Sequence, residues 1–254
     1  MKTMTTAEQV RSQIDEMKPG SVFLASDLDT SSQSRKATSK AITYYSDSEN
    51  STINKIAAGL YYKEEIGLLG RLPPSFGAIM RALIFTDDKQ VGYIVGHQLF
   101  NQRGLSTQVP ATITIITSKN TPASVDISGI KIDIQRKNQA INEQDIGRFE
   151  LAYILNNIHK IQALEGSELA TSLSGYFSTL LKDQLQFKQL YRHLVYKKTK
   201  ALFGALLEQH QQKTNHDFSQ MLDTIKQDMS IRSQYKLGHL SNYIDNRKAW
   251  NIIF

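Results

Sequence analysis

Between Thr30 and Ser46 the chain has no acidic residue, yet it carries Arg35, Lys36 and Lys40. At helical spacing, Ser34, Arg35, Lys36, Thr38, Ser39 and Lys40 fall on the outer face of one predicted helix. Guanidinium and ammonium groups neutralise phosphates and reach guanine edges, and serine and threonine hydroxyls can meet either. The chemistry is that of nucleic-acid binding. Three cations on a helix are also ordinary solvated surface, so their weight depends on the surrounding elements. A second acid-free run holds Lys188, Arg192, Lys197, Lys198 and Lys200, with Tyr191 and Tyr196 interleaved. It reads either as a second nucleic-acid surface or as a helix end whose cations complement the helix C-terminus.

Signals for catalysis are sparse. The chain has no cysteine, which excludes thiol catalysis, disulfides and cysteine-ligated metal sites. His97, His159, His193, His210, His216 and His239 are scattered, and none forms a His-x-x-x-His metal spacing. No Gly-x-Ser-x-Gly elbow and no phosphate-binding glycine loop with its lysine is present. One carboxylate arrangement stands out. Asp126 and Asp133 lie on a predicted hairpin, but Gln135 occupies the position where a restriction-nuclease-like metal site would have a lysine. Metal-assisted hydrolysis also needs converging ligands, so exposed hairpin residues are the better reading. The expectation is a non-enzyme with no metal and no cofactor.

The elements that must position the cationic face follow from periodicity and punctuation. Ala7, Val10, Ile14 and Met17 give an amphipathic helix over Thr6 to Met17, capped by Thr5 or Thr6 and stopped at Pro19-Gly20. A short strand Ser21 to Leu24, a short helix through Leu28, and a helix from Ser34 to about Tyr45 follow. Ile53 to Lys63 reads as a hairpin turning at Gly59. This is the order of a winged helix-turn-helix, whose second long helix enters the major groove while the hairpin forms the wing. After the Leu72-Pro73-Pro74 turn, Ser75 caps a helix to about Phe85, Ala111 to Thr117 is a strand, and Val125 to Ile134 is a hairpin. From residue 141 onward the pattern is mostly helical. The expected class is α+β: a winged-helix DNA-binding domain over 1–68, then a mixed α/β domain over 69–254, α+β in 69–140 and mostly helical in 141–254.

Composition is that of a globular chain, with 40% hydrophobic and 21% charged residues among 254. The net charge of +6 is weak evidence by itself. Residues 1–70 carry 8 basic and 9 acidic side chains, so any DNA contact there depends on the local cluster. No run approaches the roughly 20 apolar residues of a membrane span, and the N-terminal residues lack the apolar core of a secretory signal. A cytoplasmic protein with no membrane partner is expected.

Two further stretches carry a resemblance. One is Gly104-Leu105-Ser106-Thr107-Gln108-Val109-Pro110. The other joins Ala201 to Glu208, Tyr235-Lys236-Leu237-Gly238 and Lys248-Ala249-Trp250-Asn251-Ile252. With Gly59-Leu60-Tyr61-Tyr62 and the N-terminal layout, the chain resembles the AbiEi-like antitoxins and transcriptional regulators over nearly its whole length. The resemblance implies an N-terminal winged helix and a C-terminal antitoxin domain. It also implies repression through inverted repeats in double-stranded DNA upstream of its own operon, with a dimer or cooperative monomers on the repeat. It further implies neutralisation of a nucleotidyltransferase-like toxin without a stable complex, the type IV arrangement of abortive infection against phage. The family's wing often carries an Arg before its Gly, where this chain has Ala58. Asn54 and Lys55 are left as the wing's candidate contacts. Gly104 to Pro110 is either a functional loop or a structural turn in which Gly permits an unusual backbone and Pro sets the entry to the next strand.

The leading expectation is a DNA-binding autorepressor and antitoxin of an AbiE-like system. Its alternatives are a non-enzymatic interaction protein whose winged helix is only a scaffold, and a metal-dependent nucleic-acid-processing enzyme using the Asp126/Asp133 hairpin.

Overall fold

Thr5 opens the first helix by a reciprocal capping box: its hydroxyl accepts the Glu8 N–H, and the Glu8 carboxylate accepts the Thr5 N–H at 2.7 Å. The computed structural model describes residues 4–30, 35–127, 129–161, 166–230 and 232–254. The chain is mixed α+β. It divides into two compact units, one of residues 1–94 and 111–143 and one of residues 95–110 and 144–254.

The first unit begins with α1 (Thr6–Glu16), β1 (Val22–Leu24), a 3-10 turn at Ala25–Asp27 and α2 (Arg35–Ser46). β2 (Ile53–Ala57) and β3 (Leu60–Lys63) follow, and the three strands form an antiparallel sheet in the order β1-β3-β2. Gly59, at φ +77°, makes the β2–β3 turn in a backbone region that L side chains rarely adopt. The register sets Phe23 opposite Tyr61 and Leu24 opposite Leu60. Because side chains alternate across a strand, the two pairs face opposite sides. Phe23 and Tyr61 join Val10, Ile14, Ile42, Tyr45 and Ile53 in the core beneath α1 and α2. Leu24 and Leu60 join a second core with Ile79 and Leu83.

That second core belongs to the remainder of the unit. β4 (Glu65–Gly67) and β5 (Gly70–Leu72) form a hairpin that sequence periodicity misses, because its Ile66, Leu68 and Leu69 are exposed rather than buried. α3 (Phe76–Ile84) starts at Ser75, whose hydroxyl accepts the Ala78 N–H at 3.1 Å. β6 (Phe85–Thr86) and β7 (Lys89–Gln90) are a tight hairpin, and β8 (Gly92–Val95), β9 (Thr112–Thr117), β10 (Ser124–Ile127) and β11 (Ile130–Arg136) make a sheet ordered β10-β11-β9-β8. β10 and β11 form the expected antiparallel hairpin, and β11 runs parallel to β9. Ile113 pairs with Ile132 and Ile115 with Ile134, an apolar row covered by α3. The boundary expected at residue 68 therefore falls inside this unit, since the inner residues of β1 and β3 are shared with the layer built by α3 and β9 to β11.

The second unit contains α4 (His97–Gln102), α5 (Ile146–Asn156), α6 (Gly166–Leu180), α7 (Gln184–Tyr191), α8 (Lys197–Lys213) and α9 (Ser219–Asp228), with a short parallel pair, β12 (Tyr235–Lys236) and β13 (Ile252–Ile253). α8 is its axis. Ala201 to Leu207 are all buried, the pattern of a helix enclosed on every side, and α5, α6 and α9 pack around it. Gly204 faces Trp250, which is fully buried. The Trp250 indole donates to Glu208 Oε2 at 2.8 Å, Asn246 Nδ2 donates to the same oxygen at 2.6 Å, and Lys226 pairs with Oε1 at 3.1 Å. Burial alone would raise the Glu208 carboxyl, but these hydrogen bonds outweigh it and hold it below the usual carboxylate range.

Candidate nucleic-acid interface

α2 is held by apolar contacts on one side only. Ile42 and Tyr45 are buried against α1 and the sheet. On the opposite side Arg35, Lys36, Ser39 and Lys40 are exposed. None of the three cations forms an ion pair with a described residue. Ser34 lies outside the described residues. Thr38 departs from the expected outward face: it is 6% exposed, and its hydroxyl is 2.8 Å from that of Thr30. It fastens the helix to the segment before it and does not reach solvent. The physical reason is helical phase, since Thr38 stands four residues before Ile42 and shares its buried stripe.

The exposed face extends further along α2 than charge alone suggests. Thr43 and Tyr44 are exposed one turn beyond Ser39 and Lys40, and all four border a shallow depression of about 630 Å3. Tyr44 is 83% exposed. The i+4 spacing from Lys40 was the available signal for it. Aromatic side chains offer flat stacking and hydrogen-bonding surface at such a face.

Support beneath the face is polar and specific. Lys63, at the end of β3, donates to the carbonyls of Ile14, Asp15 and Met17 at 2.8, 2.8 and 2.7 Å. It thereby gathers the carbonyls at the C-terminus of α1, where a cation is favoured; that of Ile14 also accepts the Met17 N–H at 3.2 Å. Gln13 clamps the backbone of Asp29, accepting its N–H at 2.9 Å and donating to its carbonyl. Lys119, nearly buried, bonds Asp27 at 3.0 Å and the Phe85 carbonyl at 2.7 Å. In the β2–β3 hairpin, Asn54 is half-buried and donates to Glu64 at 2.6 Å. Lys55 is exposed and has no ion pair with a described residue, so it is the freer of the two wing candidates.

The second basic run is partly neutralised. Lys197 and Lys200 both pair with Asp228, the last residue of α9, and Lys197 also donates to its carbonyl. Bonds from Lys197 and then Lys200 hold the Asp228 carboxyl far below its usual range. Tyr191 donates to the same carboxylate at 2.8 Å, and burial, followed by this bond, pushes its phenol up. Lys188, Arg192 and Lys198 remain exposed.

The Gly104 to Pro110 stretch resolves into two halves. Gly104, at φ +67°, closes α4: its N–H donates to the Asn101 carbonyl at 2.9 Å, and the Leu105 N–H donates to the Phe100 carbonyl at 2.7 Å. This is a Schellman cap, with buried Leu105 as its apolar contact. Ser106 is buried and its hydroxyl accepts the Gln108 N–H at 3.2 Å. Thr107, Gln108 and Val109 are exposed, and Pro110 is half-buried. Nearby, Arg103 pairs with Glu150. Burial outweighs that pairing and raises the Glu150 carboxyl.

On the β10–β11 hairpin, Asp133 pairs with Lys131 at 3.0 Å and Asp126 stands opposite Lys131 in the register. No group of three or more metal-ligating side chains occurs among the described residues. No helix there is long and apolar enough to cross a membrane.

Comparison with known proteins places the chain in a class but assigns it no activity. The chain belongs to a family of unknown function, DUF6088, whose model matches residues 9–154. That span holds the exposed face of α2, the β2–β3 hairpin and the Gly104 to Pro110 stretch. No curated protein and no solved structure matches the chain.

Proposed function

We propose that the chain is a sequence-specific DNA-binding repressor of its own operon, and the antitoxin of an AbiE-like type IV toxin–antitoxin system acting in the cytoplasm. In this reading residues 1–68 work as a winged helix-turn-helix. α2 enters the major groove, and Lys55 touches backbone from the β2–β3 wing. The observation that carries it is the face of α2, where Arg35, Lys36 and Lys40 stand exposed without carboxylate partners among the described residues. Helix, strand, helix and hairpin around a three-stranded antiparallel sheet supply the frame such a helix needs. The antitoxin role rests on the resemblance alone. It implies functional pairing with a nucleotidyltransferase-like toxin without a stable complex, and two protomers on an inverted repeat.

The test is a titration of the full chain against its own upstream duplex and a scrambled duplex at two salt concentrations. Each phosphate contact contributes about 0.9 to the slope of log affinity against log salt. The Arg35→Ala/Lys36→Ala/Lys40→Ala variant should therefore lose preference for the upstream duplex and lower that slope by about 2–3. Equal, weak binding to both duplexes, or an unchanged variant, would sink the repressor reading. A second reading, a non-enzymatic interaction protein, draws on the exposed Ile66, Leu68 and Leu69 of the β4–β5 hairpin. It moves ahead in that event.

A further inference from the structure

A cleft in the second unit has the make-up of a small-molecule site. Its volume is about 480 Å3, inside the range of roughly 300–1,000 Å3 typical of ligand pockets. Leu155, Leu169 and Leu202 are buried beneath it, and half-buried Ile158 and Leu240 continue the apolar floor. Its exposed margin is basic: His159, Lys198, Lys236 and His239. No carboxylate stands among its described lining residues.

The two lysines at the margin differ from the nearest cations around them in having no carboxylate partner among the described residues. Lys197 and Lys200, the neighbours of Lys198 on α8, are both held by Asp228, and Lys226 is held by Glu208. Lys198 instead lies over the Tyr196 ring, and Lys236 borders the cleft from β12. Neither forms an ion pair with a described residue. Like charges gathered at the mouth of an apolar recess focus field lines and raise the local concentration of anions. The apolar floor selects for a body that gains by leaving water.

We propose that this cleft binds one amphipathic anion per chain, a medium-length acyl or aryl body ending in a carboxylate or phosphate head. The body covers the leucines, and the head takes charge-assisted hydrogen bonds from Lys198 and Lys236. This site is separate from the α2 face and does not depend on the DNA-binding reading.

Isothermal titration of the full chain tests it, with decanoate and decyl phosphate as probes and decanol as the uncharged control. One-to-one saturable binding of at least one anion is expected, with decanol at least tenfold weaker. The Lys198→Gln/Lys236→Gln variant should bind the anion at least tenfold more weakly and decanol unchanged. Both side chains are exposed, so its melting temperature should match that of the parent. Ile158→Trp, which fills the floor, should abolish binding of anion and alcohol together. The proposal fails if neither anion binds, if decanol binds as well as the anions, or if the double lysine variant is unaltered. It fails equally if only vesicles of phosphatidylglycerol bind and the free anions do not.

Discussion

Gly204→Ala is the sharpest probe of the second unit's packing. A Cβ on Gly204 would lie 2.1 Å from Trp250 Cζ3 and 2.3 Å from Cη2, against a carbon–carbon contact distance of about 3.5–4.0 Å. The indole must retreat by about 1.5 Å, yet it is fully buried and tied to Glu208. Overpacking of this kind costs about 1–3 kcal/mol. Weakening a hydrogen bond to the half-buried Glu208 carboxylate adds about 1 kcal/mol. Replacing glycine inside a helix returns at most about 1 kcal/mol. The net expectation is a loss of about 2 kcal/mol, or a melting temperature lower by roughly 4–8 °C for a chain of this size. Trp250 is the only tryptophan, so its emission reports the displacement directly, and chemical denaturation gives the energy. In a Trp250→Ala background the Gly204 substitution should become neutral or stabilising, because the space is then free. A Gly204→Ala protein as stable as its parent, with unshifted emission, would refute the packing argument.

Gly104→Ala meets no neighbour within 4 Å, so its cost is that of backbone alone, about 1–2 kcal/mol in thermal unfolding, with Gly104→Asn milder. Lys63→Met should lose about 2 kcal/mol, with faster amide exchange at the end of α1, because the Asp15 and Met17 carbonyls lose the Lys63 donor and the Ile14 carbonyl is left with the Met17 N–H alone. Thr38→Val should lower stability by about 1 kcal/mol while leaving DNA affinity unchanged, in contrast to Lys40→Ala, if α2 reads DNA through its outer face. His210 is buried, and burial first, then the charge of His216, lowers its pKa below the ordinary 6.5. The folded chain then binds fewer protons than the unfolded chain below pH 6.5, so stability is present above that pH and declines as the pH falls below it. The slope of melting temperature between pH 7 and pH 5 should flatten in His210→Gln.

Local signals carried far in this sequence where they were short-ranged. The pair Thr5 and Glu8, Ser75 before an apolar run, and Gly59 between two strand-like runs each act within a few residues, and each element lies where those signals put it. Pairing at a distance left no such trace. The parallel register of β9 with β11 joins segments separated by β10. The β4–β5 hairpin breaks the rule that apolar residues mark buried faces, so periodicity does not mark it. At the candidate interface, residue type identified Arg35, Lys36 and Lys40, because exposed cations are what charge counting finds. Phase decided Thr38 and Tyr44, and hydroxyl and aromatic side chains look alike in sequence whether they point inward or outward. Lys63 was invisible for a related reason, since nothing near it in sequence shows that its ammonium meets the end of α1.

The strand pair β1–β3 has no idle face, and that gives the N-terminal layer a lock as well as a floor. An aromatic pair, Phe23 and Tyr61, fills one side and an aliphatic pair, Leu24 and Leu60, fills the other. A slip of one residue would exchange them, driving two rings into space sized for leucines and leaving a void where the rings belong. Whatever α2 meets, its angle is thus referenced to a sheet that can settle in one register only. A fragment cut after residue 68 would keep the rings covered, bare the leucines to water, and lose that reference.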